Sequence, residues 1–174
     1  MGTALFSRGS TTWNGDLLSG FGTTTLDSSG LGRFNVDWKA RTASHDGWRT
    51  SPEELLAAAH SACFAMQLSH ELTEHGTRPM RLDATAEVTF VPGTGITGIH
   101  LDVTARVLGI TAEDFRRIAE SAAVHCPLTQ ALAGTEITLT TTAQAHPIHG
   151  PWNGLATGLG EPARRGEDAH PLQV

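Results

Sequence analysis

The segment over residues 50–76 constrains the fold most, because it predicts one long and largely apolar helix. Ser51 can cap this helix, Pro52 suits the first helical position, and Glu54 can complete a capping box with Ser51. No glycine or proline interrupts the run of Ala, Leu, Met and Glu before the glycine that ends it. A helix that is apolar on most of its circumference is expected to be central and buried, which places Cys63 inside the protein or beside a pocket.

The rest of the chain predicts strands and one further pair of helices. Alternating or β-rich stretches cover residues 3–13, 21–26, 31–38, 82–91, 99–107 and 136–143. The first three are expected to form an antiparallel meander, and the next two a hairpin. Thr111 can cap a second helix that the Cys126-Pro127 pair breaks, and one more helical turn can follow. The order βββ-α-ββ-α-β predicts an α+β domain over residues 1–145, with the long helix packed on antiparallel sheet.

Composition restricts the partners and the compartment. Twelve Lys and Arg against 18 Asp and Glu give a net charge of −6, which argues against nucleic acid as a partner. The N-terminal residues lack a signal-peptide pattern, and no run of 18 apolar residues occurs. A cytoplasmic protein without a membrane partner is therefore expected. Residues 146–174 are rich in Gly, Pro and His without periodicity, and they predict an irregular or disordered tail.

The two cysteines are the candidate reactive groups. Cys63 lies in the long helix and Cys126 lies before Pro127, too far along the chain for a CxxC redox motif. If Pro127 occupies a first helical position, Cys126 becomes the N-cap, where unpaired backbone N–H groups favour a thiolate. The alternative is that both cysteines are small core residues.

Three sequence motifs resemble those of a known family. They read SPEELLAAAHSACFAMQLS, VHCPLTQAL and, near the N-terminus, TTWNGDLLSGFGTT. The chain thereby resembles the OsmC family of thiol peroxidases, which includes the organic hydroperoxide resistance proteins. The resemblance implies an OsmC-like fold, an intertwined homodimer, a peroxidatic Cys63 and a resolving Cys126.

The resemblance also implies an activity. The protein would reduce organic hydroperoxides, and hydrogen peroxide less well, to alcohols through a Cys63–Cys126 disulfide, in defence against oxidative or osmotic stress. Thiol chemistry of this kind needs no cofactor. By analogy with the family, the electrons would come from a dithiol reductant such as a lipoylated protein.

A thiolate in an apolar helix needs a nearby cation, because burial raises the pKa of a thiol. The resemblance implies an arginine held by the first glutamate of the P-E-E motif, which is Glu53 here. Arg41 is the favoured arginine, since it is expected to close a strand and to be well fixed. Arg49 is the competing candidate and Arg33 a remote third.

Large apolar side chains near the nucleophile suggest a substrate pocket. Phe64 and Met66 flank Cys63 along the helix, and Trp38, with Trp48, lies on the preceding segment. They could line a pocket for the organic group of a hydroperoxide, although such residues are more often core.

Histidines leave other interpretations open. His60 lies one helical turn before Cys63, where it could polarise the thiol or join a zinc site with His125. Neither histidine belongs to a metal-binding motif, so a core histidine is the simpler interpretation, and no metal is expected. The alternative functions are a thiol redox sensor or binding module, a zinc-stabilised structural protein and a Cys-His hydrolase.

Overall fold

The structure, a computed structural model, describes residues 3–42, 47–146 and 170–171. The strands are β1 Ser10–Asn14, β2 Phe21–Thr25, β3 Arg33–Asp37, β4 Pro79–Val91, β5 Gly95–Leu108, β6 Glu136–His146 and β7 His170–Pro171. The helices are α1 Trp38–Thr42, α2 Pro52–Glu74, α3 Ala112–His125 and α4 Pro127–Ala131. The chain divides into two compact units, the first formed by Met1–Leu56 with Phe90–Gly95, the second by Ala57–Thr89 with Ile96–Val174.

The first unit contains the predicted antiparallel meander. Strand β2 pairs with both β1 and β3, and Gly22 lies opposite Trp13 on one side and Val36 on the other. A Cβ atom at Gly22 would come within 2.8 Å of the Thr12 carbonyl oxygen and 2.9 Å of the Trp13 ring. Glycine therefore allows the Trp13 ring to approach the backbone closely at this position.

Helix α1 replaces the end of the third predicted strand. The Asp37 carboxylate accepts a hydrogen bond from the Ala40 N–H at 2.8 Å, which is the contact that an N-cap makes. Strand β3 therefore ends at Asp37, and Trp38 and Arg41 lie in a helix. The expectation that Arg41 closes a strand is wrong, because the strand ends at the capping residue Asp37, four residues earlier.

Helix α2 begins and ends where the sequence predicts. The Ser51 hydroxyl accepts a hydrogen bond from the Glu54 N–H at 3.1 Å, while the Glu54 carboxylate accepts one from the Thr50 hydroxyl. At the other end Gly76 has a φ of 86°, and the next N–H, that of Thr77, donates to the Leu72 carbonyl at 2.9 Å. None of the described helices is long and apolar enough to cross a membrane.

The core of the second unit covers one face of α2. Phe64, Leu68 and Leu72 recur every four residues and are fully buried in the hydrophobic cluster. On another face Ala62 is exposed and Met66 is 69% exposed. Burial around most of the helix is therefore not found in the single chain, because the strands and α3 pack against one side of it.

The sheet of the second unit has the order β4-β5-β6-β7. The predicted pair β4 and β5 are neighbours, but β5 and β6 are parallel, with Leu101 opposite Leu139. This pair departs from the expected antiparallel arrangement because α3 and α4 form a crossover that returns the chain to the same end of the sheet. In the predicted tail, β7 pairs with β6, while residues 147–169 and 172–174 lie outside the described residues.

Candidate active site

The two cysteine thiols are in contact in the second unit. Cys63 lies on α2, and Cys126 is the N-cap of α4 with Pro127 at the first helical position, as the sequence predicts. The Cys63 and Cys126 sulfurs lie 3.1 Å apart, within hydrogen-bonding distance, and neither cysteine is in a disulfide. Cys126 is fully buried, whereas Cys63 is partly exposed. An oxidant from solvent therefore meets Cys63 first, with Cys126 directly behind it.

The surroundings of Cys63 favour the neutral thiol. Burial raises the pKa of Cys63, and the adjacent Cys126 raises it further, while a backbone hydrogen bond from Leu128 lowers it. Leu128 lies in the first turn of α4, so an unpaired N–H of that helix acts on Cys63. The sequence predicts that these N–H groups act on Cys126, but the Cys126 sulfur makes no capping hydrogen bond.

Arg41 and Glu53 form a fixed ion pair in the first unit. The Arg41 Nε donates to both carboxylate oxygens of Glu53 at 3.1 Å, and its Nη2 also donates to one of them. Glu53 is buried, and the guanidinium lies over the rings of Phe90 at 4.2 Å and Trp38 at 5.4 Å from the ring centres. Two aromatic rings and a bidentate carboxylate hold this cation in one orientation.

The other two arginines differ from Arg41 in their surroundings. Arg49 lies 3.1 Å from the Asp37 carboxylate, and Arg33 is an exposed residue of β3. Arg41 is therefore the candidate arginine that pairs with Glu53. Its role at the Cys63 thiol stays a prediction. Phe90, which the sequence did not single out, was detectable only as one alternating residue of the β4 pattern.

The first unit also holds an apolar cavity of about 400 Å³. Its walls are formed by Thr11, Trp13, Leu17, Thr24, Val36, Asp37, Trp38, Arg41, Pro52 and Leu55. Trp38 therefore lines a cavity, and its role as a substrate-pocket residue stays a prediction. The other two predicted pocket residues lie in the second unit, where Phe64 is fully buried in the core and Met66 is largely exposed.

His60 is buried and makes one hydrogen bond. Its Nε2 lies 2.9 Å from the Thr129 hydroxyl oxygen, and its Nδ1 is buried without a partner. His125 is mostly exposed, with its Nδ1 3.3 Å from the Glu71 carboxylate. Within the described ranges, no group of three or more His, Cys, Asp or Glu side chains is placed to hold a metal ion. Thr129 belongs to the VHCPLTQAL motif, but the sequence did not single it out, since the motif does not show what its side chain contacts.

The buried His60 predicts a pH dependence of stability. Burial lowers its pKa from the usual 6.5, so the unfolded chain takes up a proton near pH 6.5 and the folded chain does so only at lower pH. The free energy of unfolding is expected to fall as the pH drops below 6.5, by at most about 1.4 kcal/mol per pH unit. Urea unfolding of wild type and His60→Phe between pH 5 and 8 measures this. If the free energy of unfolding changes with pH in the same way in both proteins, the prediction is wrong.

Comparison with known proteins places the chain among relatives. A family model described as OsmC-like protein matches residues 44–142. Peroxiredoxin OsmC of Escherichia coli K12 is 38% identical over 138 residues, which cover 78% of this chain and 94% of that protein. An organic hydroperoxide resistance protein of Elizabethkingia anophelis has a TM-score of 0.60 at 26% identity, covering 84% of this chain and 100% of its own. An OsmC-like protein of Vibrio cholerae shares the fold, with a TM-score of 0.62 at 15% identity, covering 80% and 99%.

These similarities agree with the site as the structure presents it. The matched segment contains Glu53, Cys63 and Cys126 and extends over more than half of the chain. The two motif cysteines lie in contact, with the more exposed thiol on the long helix. The chain therefore belongs to the OsmC-like family of thiol-dependent peroxidases.

Proposed function

We propose that the chain reduces organic hydroperoxides to alcohols through a sulfenic acid on Cys63 and a Cys63–Cys126 disulfide. The observation that carries this proposal is the 3.1 Å contact between a partly exposed and a fully buried thiol. Because Cys126 is inaccessible to solvent, we expect it to react with the adjacent Cys63 rather than with a peroxide from solution. The exposed member of the pair is the one that a peroxide reaches.

The proposed reaction has three steps, which are attack on the peroxide, condensation of the two cysteines and reduction of the disulfide. The Cys63 thiolate attacks the distal oxygen of ROOH, the O–O bond breaks, and the alkoxide takes a proton to leave as ROH. Cys63 thereby loses two electrons and becomes a sulfenic acid. The Cys126 thiol then displaces hydroxide, which leaves as water, and a disulfide forms. An external dithiol then reduces the disulfide by exchange, which returns both cysteines to thiols and leaves the reductant as an intramolecular disulfide.

The first step needs Cys63 as a thiolate, and burial opposes that state. We assign the compensating positive charge to Arg41, oriented by Glu53, as the family resemblance implies. The guanidinium is fixed against the rings of Trp38 and Phe90, and this supports the assignment, because a cation that does not reorganise stabilises a developing negative charge best.

Organic rather than inorganic hydroperoxides are proposed because of the cavity beside Arg41. Its walls include Trp13, Val36, Trp38 and Leu55, and they offer an apolar surface to an alkyl or aryl group. Hydrogen peroxide has no group to bury there. It is expected to react more slowly for that reason.

We also propose a homodimer, since large apolar side chains lie exposed in the single chain. They include Leu17, Leu18, Phe21, Leu31 and Met66. The reductant is a dithiol, for example a lipoyl group on a protein, and turnover then takes place in a reducing compartment such as the cytoplasm, in defence against oxidative stress. The net charge of −6 makes nucleic acid an unsuitable partner.

Steady-state peroxide consumption with dihydrolipoamide tests the proposal. Wild-type protein is expected to turn over cumene hydroperoxide repeatedly, with a kcat/KM at least about tenfold above that for hydrogen peroxide. In Cys126→Ser, one equivalent of peroxide is expected to leave a sulfenic acid that dimedone traps. If wild-type protein consumes one equivalent and then stops despite the dithiol, it is a redox sensor and the proposed turnover is wrong.

A further inference from the structure

A second side-chain contact lies beside the thiols and joins the same two helices. His60 precedes Cys63 by three residues on α2, and Thr129 follows Cys126 by three residues at α4. The His60 Nε2 and the Thr129 hydroxyl oxygen are 2.9 Å apart, and the two sulfurs are 3.1 Å apart. The two contacts thus lie next to each other and join two chain segments that run in opposite directions.

Stability alone does not explain this pair. Both His60 and Thr129 are fully buried, and the His60 Nδ1 has no hydrogen-bond partner. A buried unsatisfied nitrogen costs free energy, whereas two apolar side chains of similar shape would cost little at the same place. The polar pair adds a directional contact. A hydrogen bond restricts the position of Thr129 along α2 more strongly than an apolar contact does.

The position of α4 relative to α2 is important at this site because the two sulfurs must come closer together to form a disulfide. A disulfide needs its sulfurs about 2.05 Å apart, so the thiols must approach by roughly 1 Å without rebuilding the backbone. Helix α4 has only five residues, and Cys126 lies at its beginning. In the part of the chain that the structure describes, the His60–Thr129 hydrogen bond is the one bond between a side chain of α2 and a side chain of α4. The remaining contacts at this place are made by the Cys63 sulfur, with the N-cap thiol of Cys126 and with the Leu128 N–H.

We propose that His60 and Thr129 are positioning residues, whose hydrogen bond holds α4 where the Cys126 thiol can condense with the Cys63 sulfenic acid. This inference rests on the proposed function, and it deepens that function by assigning a pair to its second step. In that step the Cys126 sulfur bonds to the Cys63 sulfur, the S–O bond breaks, and hydroxide leaves as water with the Cys126 proton. Both side chains are fully buried, so the first step is not expected to depend on the pair.

The test compares variants that remove or keep the hydroxyl. Thr129→Val removes it at nearly constant volume, and Thr129→Ser keeps it. Thr138→Val is the matched control, because it breaks the 2.8 Å hydrogen bond from His100 to Thr138 elsewhere in the second unit. After one equivalent of cumene hydroperoxide, the sulfenic acid of Thr129→Val is expected to last at least about tenfold longer than that of wild type. Its formation rate should stay within twofold, and the other two variants should behave as wild type.

The double variant His60→Phe/Thr129→Val separates positioning from stability. It leaves no unpaired polar atom and is expected to unfold at a urea concentration at or above that of wild type. It should nevertheless close the disulfide as slowly as Thr129→Val does. If the double variant and Thr129→Val both close the disulfide at the wild-type rate, the positioning role is overturned.

A glutathione redox equilibrium distinguishes this inference from the proposed function. The equilibrium constant for forming the Cys63–Cys126 disulfide is expected to fall about tenfold in Thr129→Val, which corresponds to about 30 mV. That measurement needs no peroxide. If wild-type protein fails to turn over hydroperoxides but the equilibrium still shifts, the proposed function is wrong and the positioning role stands. An unchanged equilibrium in both His60–Thr129 variants overturns the positioning role whatever the turnover.

Discussion

Replacing Cys63 with serine is expected to lower dithiol-dependent consumption of cumene hydroperoxide by about 10⁴-fold or more, to the rate without protein. A serine hydroxyl does not ionise near neutral pH and does not reduce a peroxide. Cys126 cannot substitute, because it is fully buried behind residue 63. The measurement is peroxide loss over time with dihydrolipoamide, together with intact mass after oxidation.

Cys126→Ser provides the matched comparison for this prediction. It changes the other sulfur of the same 3.1 Å contact, so any effect of disturbing the packing between α2 and α4 appears in both variants. We expect Cys126→Ser to consume one equivalent of peroxide as fast as wild type within about threefold, whereas Cys63→Ser consumes none. If Cys63→Ser instead shows a mass increase of one oxygen on Cys126, the assignment of the attacking thiol is reversed.

The fold was predictable where local signals agree, and less so where the chain reverses by a crossover. Ser51, Pro52 and Gly76 mark the ends of α2 in the sequence, and the structure has those ends. The parallel pairing of β5 with β6 was not evident from the alternation of apolar and polar residues, because side chains alternate between the two faces of the sheet in both parallel and antiparallel strands. Helix α1 was missed because five residues give too little periodicity, although Asp37 is a recognisable capping residue.

The site was predictable in its reactive groups and not in its supports. Cys63, Cys126 and Glu53 follow from motifs, and the structure brings the two sulfurs into contact. Met66 shows that closeness in sequence does not place two helical side chains on the same face. It lies three residues after Cys63, so it points about 60° away from Cys63 around the helix axis, and here it reaches solvent. Phe90 and Thr129 come from distant segments, so only the tertiary structure shows what they contact.

Arg41→Met is expected to slow the reaction of Cys63 with cumene hydroperoxide by about 10- to 1,000-fold at pH 7, the range that loss of one close opposite charge produces. Methionine keeps much of the side-chain volume beside Trp38 and Phe90 but removes the charge. Burial already raises the pKa of Cys63, so without the cation the thiolate fraction falls further. The rate should therefore recover as the pH rises, and the pH profile of single-turnover oxidation should move to higher pH.

Two further variants decide how Arg41 acts. Glu53→Gln leaves the positive charge but removes the bidentate carboxylate that holds it, so its rate is expected between those of wild type and Arg41→Met. Arg49→Met removes a neighbouring charge that lies against Asp37, and it is expected to stay within about twofold of wild type. If Arg49→Met shifts the pH profile and Arg41→Met does not, the activating cation is Arg49. The Arg41–Glu53 pair would then be structural, serving only to join α1 to the beginning of α2.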